Sequence, residues 1–308
     1  YMLTPFYAIT GGNPLAMTGF VITWSLLFVV ATFLIFSKIF DKKFALIFLA
    51  LWAVNPLSVL IDTIAWNPVV VPLLFILLIY LLYLYFKNQK TIYVILAGLA
   101  LGFGVSFHLQ FLFIAPLFIP LLFVIFKSKR FKELPPLAAA TALPFLPILI
   151  FDIRHNFLNL GKIIEFIKDG GTGITRVLPV WDNVSSVIVG VSPSRVLGLA
   201  FYISVLVGLF VMGAKLKDKV QGKIVSGLGL TWAASLPLFL LLMKNPSEYY
   251  FNYLLVPLLI FVSLLLKNLK RFGIIILIGA VTYFVFQSRT LLRDPDTSLK
   301  EKDQAVNL

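Results

Sequence analysis

Long apolar runs, separated by short polar breaks, follow one another along most of the chain. Each is close to the roughly 17–25 residues that a helix needs to cross a bilayer. The pattern predicts an all-α integral membrane protein with about ten transmembrane helices, and it excludes a lone signal peptide or a single anchor. Gly98 and Gly102, one helical turn apart, predict close packing against another helix. The predicted spans lie near residues 16–36, 44–61, 68–86, 92–107, 109–126, 135–151, 196–214, 224–242, 250–266 and 272–287.

One internal loop, residues 152–195, is much longer than the others. Loops of that length are usually functional or disordered. Its stretch FLNLGKIIEFIKD has apolar residues at helical spacing, which predicts a short amphipathic helix along the membrane surface. These apolar positions are Phe157, Leu160, Ile163, Ile164 and Ile167. We expect residues 1–287 to form one transmembrane domain and residues 288–308 to begin a further outer-face segment.

The basic residues are concentrated in alternate short loops. Such a bias orients a membrane protein with its Lys/Arg-rich loops in the cytoplasm. We therefore expect a multi-pass protein of the cytoplasmic (plasma) membrane, with loop 152–195 outside. A miscounted span would scramble the alternation, so the bias also supports ten spans. The basic loops contain Lys38, Lys42 and Lys43; Lys87 and Lys90; Lys127, Lys129, Arg130 and Lys132; Lys215, Lys217, Lys219 and Lys223; and Lys267, Lys270 and Arg271, whereas the other short loops contain only Lys244.

The composition agrees with a membrane protein. Charged residues make up 13% of the chain and hydrophobic residues 60%, whereas a soluble domain carries about 25% charged residues. The net charge of +13 lies in the loops without a nucleic-acid-binding motif, so we expect no nucleic-acid partner. The absence of cysteine excludes disulfides, thiolate metal sites and cysteine nucleophiles. No His/Glu pair has metal-ligand spacing, so we assign no metal ligand and leave a divalent-metal requirement open.

Two polar positions interrupt apolar runs near the predicted outer face. Asp62, in NPLSVLIDTIAWNP, is a carboxylate at or near membrane depth, and such a residue by default marks a site facing a cavity. Alternatively, it lies just outside the hydrocarbon and caps the next helix. His108, with Gln110 nearby, could bind a phosphate or a metal, or carry a proton. Alternatively, it hydrogen-bonds a neighbouring helix.

Two denser polar clusters also fall on the predicted outer face. FDIRHNF contains Asp152, Arg154, His155 and Asn156. The planar fork of Arg suits a phosphate and His adds a donor, whereas an internal Asp–Arg pair would merely anchor the loop at the headgroups. KNPSEYYFNY contains Lys244, Glu248, Tyr249, Tyr250, Asn252 and Tyr253. Interfacial tyrosines normally form an aromatic belt, while the adjoining Glu and Asn favour a ligand-facing role.

Five segments at these positions resemble one group of enzymes. They are TPFYAITGGNP, NPLSVLIDTIAWNP, AGLALGFGVSFHLQFLFIAP, LIFDIRHNFLN and EYYFNYLLVP, in that order. The sequence resembles the bacterial relatives of protein O-mannosyltransferases and aminoarabinose transferases, within the GT-C superfamily of membrane glycosyltransferases. RHNFLN after a span and WNP before one are the most specific of these matches.

The resemblance implies transfer of a sugar from a polyprenyl-phosphate carrier to an acceptor lipid, glycan or protein at the outer membrane face. It implies that Arg154, His155 and His108 bind the donor phosphate. The cavity and substrate contacts would come from Asp62, Trp66, Asn67, Asp152, Asn156, Glu248, Tyr249 and Tyr250. The family's acidic catalytic base lies in the first outer loop, so we expect the base and the first helix to precede Tyr1.

One departure from the family pattern concerns the residues before WNP. Family members often have Arg there, where this chain has Asp62-Thr63-Ile64-Ala65. A different donor or acceptor preference would follow from that change.

Two other classes of protein stay open. A transporter or lipid flippase is also polytopic, but transporters often have repeated halves with spans broken at the midplane. No repeat relates residues 1–150 to 151–308, and the polar residues cluster at one face. A catalytically inactive scaffold would bind the lipid carrier and the surrounding membrane lipids without turnover.

Overall fold

The computed structural model describes residues 3–63, 67–169, 195–242 and 252–293, and these residues form helices and turns without a strand. The α-helices are α1 (Thr4–Ile9), α2 (Leu15–Ile39), α3 (Lys42–Val54), α4 (Pro56–Asp62), α5 (Val71–Asn88), α6 (Thr91–Phe107), α7 (Ile119–Lys127), α8 (Leu134–Ala142), α9 (Leu146–Arg154), α10 (Leu158–Asp169), α11 (Arg195–Lys215), α12 (Lys219–Leu242), α13 (Asn252–Asn268) and α14 (Lys270–Arg293). Short 3-10 helices cover Asn67–Val70, Leu109–Phe118, Phe131–Glu133 and Leu143–Phe145. The predicted all-α fold is confirmed for this part of the chain.

The predicted apolar runs are helical wherever they are described, apart from a break at Asn55. Within the described ranges, four helical stretches are long and apolar enough to cross a membrane: Leu15–Ile39, Val71–Asn88, Phe131–Arg154 and Lys270–Arg289. The bent pair α3–α4 makes a fifth if its two parts count as one span. Shorter apolar stretches of 10–17 residues cover Thr91–Phe107, Phe111–Lys127, Leu199–Lys215 and Tyr253–Asn268. These apolar helices support a membrane protein, and the count of ten spans stays a prediction.

Close contact between α6 and the α8–α9 stretch depends on two glycines. A Cβ on Gly98 would lie 2.8 Å from the carbonyl oxygen of Leu137, and one on Gly102 would lie closer still to that of Thr141. Both distances are shorter than a van der Waals contact, so only glycine allows this approach. The predicted small-residue packing is confirmed. Because Gly98 faces Leu137 and Gly102 faces Thr141, α6 and the α8–α9 stretch run parallel.

A buried polar network joins the loops after α5 and α7 at the Lys/Arg-rich end of the molecule. The carboxylate of Glu133 is fully buried. It accepts hydrogen bonds from Tyr85 Oη at 2.6 Å and Thr91 Oγ1 at 3.1 Å, and it pairs with the guanidinium of Arg130. Arg130 also donates to the backbone oxygen of Gln89 at 2.6 Å. A buried carboxylate is tolerated here because its oxygens are all hydrogen-bonded.

Candidate functional site

The membrane-depth part of the candidate site is built on a break between α3 and α4. The two helices are inclined at 70°. Asn55 lies between them in an extended conformation, and its Oδ1 accepts a 3.0 Å hydrogen bond from the Leu57 amide. Pro56 follows at the first helical position, where its missing N–H costs no hydrogen bond. The Asn-Pro pair thus ends one helix and caps the next within a few residues.

Two serines donate further hydrogen bonds to backbone carbonyls around the break. Ser58 Oγ donates to the Trp52 oxygen and also to the Asn55 oxygen at 2.8 Å. Ser288 Oγ, on α14, donates to the Val54 oxygen at 2.9 Å. Unsatisfied backbone groups are costly in a membrane, so broken helices there require such partners. The described structure therefore supports the break with side chains from its own helix and from α14.

The break directs Asp62, the last residue of α4, towards the middle of α2. Ser25 Oγ donates a 3.0 Å hydrogen bond to Asp62 Oδ1. At about 1.5 Å per residue, Ser25 lies roughly 15 Å along α2 from Leu15 and roughly 21 Å from Ile39. Asp62 is half-buried. This contact lies beside the middle of α2 rather than at its end, and the cavity-facing interpretation of Asp62 stays a prediction.

The end of α6 packs close to the same region. Phe107 contacts a small apolar cluster formed by Phe20 and Val21 of α2 with Val69 and Val70. Phe20 is five residues, or roughly 8 Å, from Ser25 along α2. This packing brings His108, the C-cap of α6, into the neighbourhood of Val69 and Val70.

His108 is partly buried, and burial lowers its pKa below the usual 6.5. The imidazole is therefore neutral at pH 7, and it can offer a phosphate one N–H donor but no full positive charge.

In the FDIRHNF cluster, Asp152 is buried and has a structural role, whereas Arg154 and His155 are exposed. Asp152 is buried, and its carboxylate accepts hydrogen bonds from the amides of Asn159 at 2.9 Å and Leu160 at 3.0 Å. It therefore caps α10. Within the described residues Asp152 forms no ion pair with Arg154, which is exposed at the end of α9.

His155 and the turn after it are also exposed. The His155 ring stacks on Phe151 with centroids 4.0 Å apart, and its Nδ1 lies 2.7 Å from the Phe151 oxygen. Because that partner is a carbonyl, Nδ1 must carry a proton, so only the doubly protonated ring could donate to a phosphate from Nε2. Asn156 and Phe157 follow with φ of 53° and 58°, the left-handed conformation that reverses the chain into α10.

His108 and Arg154 lie at the C-terminal ends of two neighbouring helical stretches. Because α6 and the α8–α9 stretch run parallel, both C-termini point towards the same end of the molecule. The described residues show no direct contact between the two side chains. His108 and Arg154 thus stand at helix ends that point the same way, whereas Asp62 lies beside the middle of α2.

Several predicted site residues lie outside the described residues: Trp66, Glu248, Tyr249 and Tyr250. The backbone of Asn67 begins the 3-10 helix after the break. The predicted amphipathic helix is present as α10, with Leu158, Leu160 and Ile164 exposed, while most of loop 152–195 lies outside the described residues. In the described ranges, no three His, Asp or Glu side chains are grouped as metal ligands would be.

Sequence reasoning missed the residues that support Asp62. Ser25 and Ser58 lie within apolar runs, where a lone serine is usually bonded to its own helix, and Ser288 follows the last predicted span. The signal that could have found the break is the Asn55-Pro56 pair inside the predicted span 44–61, because the residue before a proline is biased away from the helical conformation.

Comparison with known proteins gives one match. Residues 1–151, just under half of the chain, match the family model described as dolichyl-phosphate-mannose-protein mannosyltransferase. No curated protein and no solved structure gave a match. The matched residues include α2, the α3–α4 break, Asp62 and His108. This match over residues 1–151 confirms the predicted resemblance to GT-C membrane glycosyltransferases.

Proposed function

We propose that the protein transfers a sugar from a polyprenyl-phosphate donor to an acceptor at the outer face of the cytoplasmic membrane. The family match over residues 1–151 carries the glycosyltransferase part of this proposal. The acceptor is a lipid, a glycan or a protein. A lipid-linked donor suits the chain because it reaches the site from within the bilayer.

The topology that we propose has ten spans, with the Lys/Arg-rich loops in the cytoplasm and loop 152–195 outside. The alternation of basic loops supports it. The lysines at that end also lie over aromatic rings, as side chains reaching towards an interface do. Lys38 Nζ is 5.6 Å from the Tyr80 ring centroid, and Lys87 Nζ is 5.9 Å from that of Tyr83.

The donor phosphate would be held by Arg154, His155 and His108. Arg154 offers the charge and the planar fork that suit phosphate oxygens, and it is exposed without an internal ion pair among the described residues. The histidines would add hydrogen-bond donors. Arg154 stands at the end of its helix, where a lipid phosphate would lie at headgroup depth while its chain stays in the hydrocarbon.

The sugar would lie in the cavity beside the α3–α4 break. Asp62, Trp66 and Asn67 would shape this cavity, and Asp152, Asn156, Glu248, Tyr249 and Tyr250 would complete the substrate contacts around it. The single structural observation in favour is the hydrogen bond between Ser25 and Asp62 at mid-span, because a carboxylate at such depth serves a polar ligand or a water-filled cavity. Carboxylates commonly accept hydrogen bonds from hydroxyl groups.

In the proposed reaction, the acceptor hydroxyl attacks the anomeric carbon. The bond from that carbon to the phosphate oxygen breaks, and the polyprenyl phosphate leaves with the bonding electron pair. A general base takes the hydroxyl proton. We do not assign the base to Asp62, which we propose for the cavity. Arg154 would stabilise the charge that develops on the leaving phosphate.

The test is the transfer rate of the full-length protein carrying both Arg154→Ala and His155→Ala. In membranes supplied with polyprenyl-phosphate-linked radiolabelled mannose, we expect the double variant to lose at least about tenfold in rate, because charge-assisted phosphate contacts are lost. Lys162→Ala is the matched control, since Lys162 is exposed on the same side and pairs only with Glu165 in the described structure. Wild-type transfer by the double variant would overturn the assignment.

One observation favours a transporter or flippase as the second candidate. A helix broken near mid-span, with a carboxylate beside it, is also found at transporter binding sites. Movement of labelled lipid across a bilayer without sugar transfer would favour this class. Binding of the lipid carrier without either activity would favour the inactive scaffold.

A further inference from the structure

A cavity of approximately 540 Å³ lies at the opposite, Lys/Arg-rich end of the molecule. It is formed where α11 ends, α12 begins and α13 ends. Its polar lining includes Lys215, Lys217, Gln221 and Asn268. The donor site and the α3–α4 break do not extend to it, so any ligand here serves a different purpose.

The lining of the cavity has two chemically different parts. Lys215 and Lys217 are exposed at its mouth, whereas its wall includes the apolar residues Val211 and Leu264. A ligand that satisfies both parts must carry a negative charge next to an apolar group. A free inorganic anion would use only the first part.

An apolar stripe on α11 leads directly into the cavity. The exposed face of this helix carries Leu199, Ile203, Val207 and Val211, at successive turns, and ends at Lys215. At about 1.5 Å per residue, Val207 is roughly 12 Å from Lys215 along the helix, close to the roughly 15 Å of one leaflet's hydrocarbon. An acyl chain lying along this stripe would therefore bring its phosphate to the lysine.

The other polar groups of the lining are already partly engaged. Gln221 Nε2 donates to the Ile39 oxygen at 2.7 Å, which ties α12 to the end of α2. Asp218 Oδ1 accepts from the Val220 amide at 2.8 Å, so this carboxylate caps the start of α12. The two lysines outnumber the one carboxylate, and the local charge favours an anion.

Because the lysines at the cavity mouth adjoin the apolar stripe of α11, we propose that the cavity binds the headgroup of an anionic glycerophospholipid. The phosphate lies between Lys215 and Lys217, and one acyl chain follows the Val211–Val207–Ile203 stripe. Basic pockets between helices on the cytoplasmic side of membrane proteins recognise anionic headgroups in this way. The inference is independent of the proposed glycosyl transfer. Such a lipid would fasten α11, α12 and α13 together at the membrane surface.

The test is native mass spectrometry of the purified full chain, titrated with phosphatidylglycerol and with chain-matched phosphatidylcholine. The test variant is Lys215→Gln with Lys217→Gln. We expect its affinity for the first phosphatidylglycerol to fall roughly fivefold for each lysine removed, with no change for phosphatidylcholine. The control is Lys90→Gln with Lys132→Gln, which removes the same charge from exposed positions outside the cavity. An equal fall in both variants, or no fall in the first, overturns the proposal.

Two further experiments distinguish a bound lipid from a bound free anion. Val207→Ser should weaken phosphatidylglycerol binding without a charge change, whereas Ile275→Ser, at an exposed position of α14, should not. Millimolar inorganic phosphate should leave the bound lipid in place. Displacement of the lipid by phosphate, with Val207→Ser without effect, would show that the cavity takes only a free anion and would contradict the proposal.

Discussion

At the scale of single residues, a chemically suggestive side chain can have a structural task. Asp152 stands in a cluster with Arg and His, yet both of its oxygens accept backbone amides of α10. An aspartate that caps a helix in this way typically contributes about 1 kcal/mol. Its proposed substrate role must therefore be tested separately from the capping role.

Substituting Asp152 tests the cap directly. Asp152→Ala should destabilise α10 by about 1 kcal/mol, because the amides of Asn159 and Leu160 lose their acceptor. Hydrogen exchange should then speed up at these amides and through α10. Glu165→Ala is the control, since its exposed pair with Lys162 contributes little. Unchanged exchange in Asp152→Ala would exclude the capping role.

Asp41 makes the stability of the fold depend on pH through an ion pair at the Lys/Arg-rich end. Burial alone would raise its pKa, but the hydrogen bond and charge of Lys267 and the Phe44 amide together lower it below the usual 3.8. A lowered folded-state pKa adds stability above the unfolded-state pKa, and this stability is lost as the pH falls through the folded value.

The corresponding variant is Asp41→Asn, since Asn caps a helix about as well as Asp. It should be less stable than wild type at pH 7, by less than about 1 kcal/mol. The difference should shrink as the pH falls below 3.8, as measured by thermal unfolding in detergent. Asp218→Asn is the control, because Asp218 caps α12 without an ion pair in the described structure. A difference independent of pH would refute the ion-pair account.

The sequence predicted the polar residues of the site better than their partners. Asp62 and His108 were identifiable because charged or polar groups stand out in apolar runs. Ser25 was not, since a serine hydroxyl in a helix normally bonds to its own backbone. Its contact with Asp62 depends on the direction of α4, which no local pattern specifies.

At the scale of elements, hydropathy located the helices but not their directions. The predicted span 44–61 is two helices inclined at 70°. The apolar run continues across the break, and Pro56 sits in the first turn of α4, where proline is well tolerated. Asn55 and the two serines carry the information that the chain turns here.

Ser288 tests whether α14 supports the break. Ser288→Ala should cost about 1 kcal/mol or more, because the Val54 oxygen loses a buried donor. Thermal unfolding of the purified protein would measure this. Ser204→Ala is the control, since Ser204 is exposed and bonds within its own helix. Equal unfolding temperatures for the two variants would contradict the support from α14.

At the scale of the whole molecule, the absence of cysteine makes the topology directly testable. Single variants Lys162→Cys and Lys132→Cys can be labelled in intact cells with a membrane-impermeant maleimide. We expect labelling at position 162 in intact cells, and at position 132 only after permeabilisation, because the basic loops lie inside. The reverse pattern, or labelling of both positions in intact cells, would overturn the proposed orientation.

The central claim is that the sugar donor is lipid-linked. The most direct measurement compares polyprenyl-phosphate mannose with a nucleotide-linked mannose as donors for the full-length protein in membranes, with transfer of radiolabel as the readout. The account predicts label on an acceptor and release of polyprenyl phosphate with the first donor only. Transfer from the nucleotide sugar alone, or movement of the lipid across the bilayer without transfer, would contradict it.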